Sequence, residues 1–184
     1  LKQIGKINES LVASQKSVQL NPQDAEAHNN LGVLLKEQSK LEEAEASLRQ
    51  AIELKPDYIE AYNNLADLLQ KLGRLEDAEA SLRQVIVLKP DSTIRAHFNL
   101  GIILKEQGRL EEAEASYRKA ITLKPDLAET YNNLGITLQE QGRLEEAETS
   151  LGKAITLKPD FAEAHRHLTL LKRFYTQDQQ YLKM

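Results

Sequence analysis

Leu41-Glu42-Glu43-Ala44-Glu45-Ala46-Ser47-Leu48 and Leu110-Glu111-Glu112-Ala113-Glu114-Ala115-Ser116-Tyr117 are nearly the same text written twice in one chain. Working outward, each is followed by a stretch such as Ala51-Ile52-Glu53-Leu54-Lys55 and then by a proline. The five prolines stand at 22, 56, 90, 125 and 159, at spacings of 34, 34, 35 and 34. Self-similarity at this period is the signature of an array of helical hairpins, each burying its apolar face only against its neighbours. The fold expected is therefore all-α.

With the proline set at position 32, full repeats span 25–58, 59–93, 94–127 and 128–161. Residues 1–24 match the later part of a preceding repeat, with Gly5 and Ile7 where Gly73 and Leu75 stand later. Residues 162–184 begin as the first helix of a fifth unit, and the pattern then dissolves from Lys172 to Asp178. The chain reads as a fragment of a longer protein, with any targeting segment upstream of Leu1. The extra residue behind the 35-residue spacing is expected in the Asp91 to Thr93 stretch.

In the first helix of each unit, positions 4, 7, 8 and 11 form one apolar stripe, His28, Leu31, Gly32 and Leu35 in the first repeat. Position 15 is Gly73, Gly108 or Gly142, with Ser39 the exception, as a tight turn through the left-handed region requires. The second helix opens on acidic pairs such as Glu42-Glu43 and closes on Lys55, Lys89, Lys124 or Lys158, matching the helix dipole at both ends. Proline then blocks continuation.

These residues resemble the tetratricopeptide repeat family, whose aromatic, Leu, Gly, Tyr, Ala, Phe, Ala and Pro pattern fits Tyr131, Leu134, Gly135, Leu138, Ala147, Leu151, Ala154 and Pro159. No Trp stands at position 4, and Ala66 replaces Gly at position 8 of the second repeat. The resemblance implies a right-handed superhelical solenoid of antiparallel helix pairs that scaffolds protein–protein interaction. Its carboxylate clamp for acidic tails needs basic residues at position 2, where Glu26, Glu60, Glu129 and Glu163 stand with Arg95 alone. Tail capture is therefore not expected, and the glutamates read as first-turn dipole partners.

Opposite the apolar stripe, positions 2, 6, 9 and 13 have no structural role and would line the concave surface of a stacked array. Position 6 is Asn30, Asn64, Asn99 and Asn133. Asparagine is a poor residue for a helix interior, so propensity does not explain four copies. A side-chain amide offers both donor and acceptor, which an extended peptide backbone needs at every step. The run resembles the asparagine ladder in the repeat domain of O-linked N-acetylglucosamine transferases, which implies a peptide-gripping role for these four residues. The alternative is that they stitch neighbouring repeats together. Four such bonds supply roughly 2–6 kcal/mol, short of the ~8 kcal/mol that micromolar affinity requires, so Val33, Phe98, Ile102 and Ile136 are expected to add apolar contacts. Position 5, which reads Asn29, Asn63, Phe98 and Asn132, borders this face. On this reading, Asn64→Ala with Asn99→Ala weakens peptide binding and barely moves the melting temperature.

Catalysis is not expected. Ser47, Ser81, Ser116 and Ser150 repeat at position 23, and His28, His97 and His165 at position 4, whereas a reaction needs one constellation and not copies of it. His165 and His167 do not share a helix face and lack further ligands, so no metal and no cofactor is expected. The net charge of −4 argues against nucleic acid, including the RNA read by pentatricopeptide arrays. With no cysteine and no apolar run long enough for a bilayer, a cytoplasmic protein without membrane contact is the expectation. Residues from Ala164 to Met184 are similar to the junction into a sulfotransferase domain in bacterial repeat proteins, so a module presenting substrates to a transferase is the alternative function. Uncapped ends bearing Leu11, Val18, Leu170, Leu171 and Phe174 would favour self-association.

Overall fold

The computed structural model describes the backbone of residues 2–90 and 93–181, and the side chains of 9–90 and 93–173. The chain divides into two compact units, Leu1–Pro90 and Asp91–Met184. Unit one holds α1 (Lys2–Leu20), α2 (Ala25–Glu37), α3 (Leu41–Leu54), α4 (Ile59–Lys71) and α5 (Leu75–Leu88). Unit two holds α6 (Ile94–Glu106), α7 (Leu110–Leu123), α8 (Ala128–Glu140), α9 (Leu144–Leu157) and α10 (Ala162–Tyr181). Among the described residues every element is a helix, and within each unit consecutive antiparallel pairs stack in chain order, as in a helical solenoid.

The turn inside each pair is set by one backbone conformation. Gly73, Gly108 and Gly142 have φ of 71°, 75° and 77°, and Ser39 has φ of 60°. A side chain in that region is strained, whereas glycine adopts it freely. Ser39→Gly is therefore expected to stabilise the protein by up to about 1 kcal/mol, read as a raised midpoint in thermal unfolding.

The two helices of a pair meet at positions 8 and 24. A Cβ added to Gly32 would lie 2.6 Å from Leu48 Cγ, and one added to Gly135 would lie 2.7 Å from Leu151 Cγ. At Gly101 the partner is the Tyr117 ring, 2.5 Å away. Glycine is present because the facing side chain already fills the space. Tyr117 is fully buried, its hydroxyl has no hydrogen-bond partner, and burial pushes its pKa up.

A second set of contacts links successive repeats through charge. Arg74 of α5's N-cap bonds Glu45 of the preceding repeat at 2.8 Å and Asp77 of its own helix, while Arg49 bonds the same Glu45 from one turn away. Unit two repeats the pattern, with Arg143 joining Glu114 to Glu146 and Arg118 holding Glu114. Burial works to raise the Glu45 carboxyl, but Arg49 and Arg74 outweigh it and hold it below the usual carboxylate range. The same balance holds at Glu114.

Several expectations need correction. Position 4 is the margin of the core and not its centre: His28 is half-buried and His165 exposed, each ring nitrogen bonded to a proline carbonyl, Pro22 at 3.0 Å and Pro159 at 2.9 Å. The buried place beside it goes to position 3, where Ala27, Ala61, Ala96, Thr130 and Ala164 are small enough for close helix approach. The lysines closing the second helices stand at the C-cap, one residue past the last turn, and Lys55 and Lys158 lie 5.0 Å over the rings of Tyr58 and Phe161. No turn occurs at Gly5, where the backbone stays within α1. Helix α10 likewise continues past Thr176, where the repeats carry their turn glycine. Leu11 and Leu171 are buried, leaving Val12, Leu20, Val87 and Leu170 as the exposed large apolar side chains among the described residues. Asp91, Ser92 and the Phe174 side chain lie outside the described residues.

Candidate functional site

The amide stripe sits on the first helix of each pair because position 6 faces away from positions 3, 7, 8 and 11, which are pressed into the core. Asn30 is exposed, while Asn64, Asn99 and Asn133 are half-buried. In unit one, Asn64 Nδ2 donates to Asn29 Oδ1 at 2.9 Å, across a separation of 35 residues. Asn29 is buried and also hydrogen-bonds the Tyr58 hydroxyl. Position 6 of one repeat thus pairs with position 5 of the repeat before it. Unit two contains the same pairing in altered chemistry: His167 Nδ1 lies 3.0 Å from Asn132 Oδ1, again 35 residues apart. His167 occupies position 6 of the fifth unit, and burial lowers its pKa.

The asparagines of position 6 therefore differ in their surroundings. Asn64 is engaged by its neighbour, so Asn64→Ala with Asn99→Ala is now expected to lower the melting temperature as well as to weaken peptide binding. The amides of Asn30 and Asn133 make no side-chain hydrogen bond among the described residues. Asn63 turns the other way, donating to Ile59 O at 2.9 Å and leaving its buried Oδ1 without a partner.

The apolar companions are partly accessible. Val33, Phe98, Ile102 and Ile136 are all half-buried. Position 9 of the second repeat, Asp67, lies 3.9 Å from Lys36 Nζ, so that part of unit one is ionic where its counterparts are aliphatic. In unit two an open depression of about 310 Å³ is lined by the apolar Ile94, Phe98 and Leu127, termed its floor, and by the charged Arg95, Asp126, Glu129 and Lys158, termed its rim. Phe98 rests on Tyr117, ring centroids 6.3 Å apart and tilted by 57°. The depression was hidden in the sequence because it joins the start of α6 to the loop before α8, and only Phe98 of its floor breaks a repeat position that is otherwise asparagine. His167 was legible by a simpler signal, since it stands 35 residues after Asn132 as Asn64 does after Asn29.

Ser81, Ser116 and Ser150 are buried, and Ser81 Oγ donates back to Asp77 O at 2.9 Å. His97 is half-buried with its pKa lowered by burial and by Lys119. Among the described residues no cluster of three or more His, Cys, Asp or Glu could hold a metal, and no helix is long and apolar enough to cross a membrane.

Family models described as tetratricopeptide repeat match residues 13–46, 57–126 and 128–161, and one described as TPR repeat matches 34–73. No curated protein sequence matches. Among solved structures the chain is similar to YrrB, described as a TPR protein with an unusual peptide-binding site, at 23% identity and TM-score 0.75, covering 90% of this chain and 85% of that one. It is similar to MamA at 23% identity and TM-score 0.79, covering 88% and 94%. A thermophilic TPR protein of Thermus thermophilus matches at 22% identity and TM-score 0.69 over 93% of each chain. Repeat period, glycine turns, paired helices and these matches agree: the chain belongs to the tetratricopeptide repeat family.

Proposed function

We propose that this chain is a non-catalytic binding module that holds an extended peptide along the open face of its first helices. The observation that carries the reading is the amide stripe at position 6, with Asn30 and Asn133 left uncommitted beside the aliphatic side chains of Val33 and Ile136. Amides satisfy a peptide backbone whatever its sequence, and the neighbouring apolar groups add burial. That the similar YrrB structure is described as having a peptide-binding site supports the reading. Nothing in the comparisons supports the substrate-presenting alternative.

Asn30→Ala combined with Asn133→Ala, one in each unit, is expected to weaken binding of a library-selected peptide roughly 2- to 12-fold by titration calorimetry, the worth of one hydrogen bond in the unit that holds it. The melting temperature should stay close to wild type, because neither amide bonds its neighbours. An affinity equal to that of the wild-type protein would overturn the proposal.

A further inference from the structure

The lateral pairing of asparagines follows a rule with one break in unit two. Asn64 reaches Asn29, and His167 reaches Asn132, each across 35 residues. The same separation matches Asn133 with Phe98, which has no acceptor to offer. Asn133 accordingly keeps a free donor and acceptor. Phe98 meanwhile forms the floor of the depression with Ile94 and Leu127, stiffened from beneath by the buried Tyr117 ring. One departure from the repeat therefore does two things together: it puts an aromatic ring into the lining of the depression and leaves Asn133 without a lateral partner at the matching position.

We infer that Phe98, Ile94 and Leu127 form a specificity subsite for one large apolar side chain of a bound extended peptide, whose main-chain amide at that residue pairs with Asn133. The inference deepens the proposed function and rests on it. At about 310 Å³ the depression lies at the low end of ligand pockets and has room for one large side chain. Its rim balances Arg95 and Lys158 against Asp126 and Glu129, so the charges favour a neutral side chain over a phosphate or a nucleic acid strand. The Asn133 amide offers both a donor and an acceptor, which a peptide unit matches.

The test is selection of a random dodecapeptide display library on the full chain and on two variants. Phe98→Asn restores the lateral pair. Leu127→Asp removes part of the floor while supplying α8 with the kind of N-cap that Asp24 gives α2, so its fold is protected. Wild type should enrich Leu, Ile, Phe or Met at one anchor position. Exchange of that anchor for alanine in the winning peptide should lower its affinity roughly 10-fold or more, the worth of burying one such side chain. Both variants should lose the anchor preference while still enriching peptides, and the alanine exchange should then change nothing further. Enrichment without an apolar anchor, or an anchor preference unchanged in both variants, overturns the subsite and leaves peptide binding standing. No enrichment on wild type overturns both readings.

Discussion

Leu151→Ala is expected to destabilise the protein by about 2–5 kcal/mol, toward the upper end of that range. Leu151 has no exposed surface, and it faces Gly135, where the α8 backbone approaches so closely that a Cβ would stand 2.7 Å from Leu151 Cγ. The space left by its side chain would be walled by the α8 main chain at Gly135 and by the backbone at Ala147, which is itself fully buried. Main chain cannot collapse inward as a flexible side chain can, so the cavity term adds to the lost transfer energy. Urea denaturation followed by circular dichroism reads the change as a shift in midpoint. Because repeat arrays are stabilised unit by unit, hydrogen exchange should speed most in α8 and α9. A loss below about 1 kcal/mol would show that the site closes around the smaller residue.

The second large effect is expected at Asn64. Asn64→Ala should cost about 1–3 kcal/mol, because Asn29 Oδ1 would stay buried with its donor gone. Asn30→Ala, on the same face and at the same repeat position, should fall within about 0.5 kcal/mol of wild type, since the side chain is exposed and uncommitted. Comparing the two melts separates stitching from recognition in chemically identical substitutions. Equal stabilities for the two variants would mean that the lateral bond contributes nothing.

Helix limits and turns were legible in the sequence because they depend on local chemistry. A left-handed residue fixes each turn, glycine in three hairpins and Ser39 in the first, and a proline two residues past each second helix marks its end, so a period of 34 carries most of the fold. The glycines at position 8 were legible as part of a pattern, but their reason, a Leu or Tyr side chain pressed against the backbone, needed the partner helix in place. What stayed hidden depends on how one repeat lies on the next. Asn29 and Asn64 are one position out of step in the repeat, and nothing in a single unit says that these positions meet. The same holds for Arg74 with Glu45. Histidine at position 4 was misplaced for a different reason: its bond to a proline carbonyl lets it sit at the core margin, where an apolar pattern alone would put it inside.

The bonds of Arg74 to Glu45 and of Arg143 to Glu114 run from one hairpin to its predecessor through the same two repeat positions. Position 16 is Arg74, Arg109 and Arg143 in the second to fourth repeats and Lys40 in the first, while position 21 is glutamate in all four, so every cassette carries a cation and a carboxylate at the two positions that form the joint. Gene duplication or loss of one whole cassette leaves no charge stranded at the seam. Such interchangeable joints let the length of the array change by unequal recombination without a matching second mutation, which is how near-verbatim text can accumulate in a single chain.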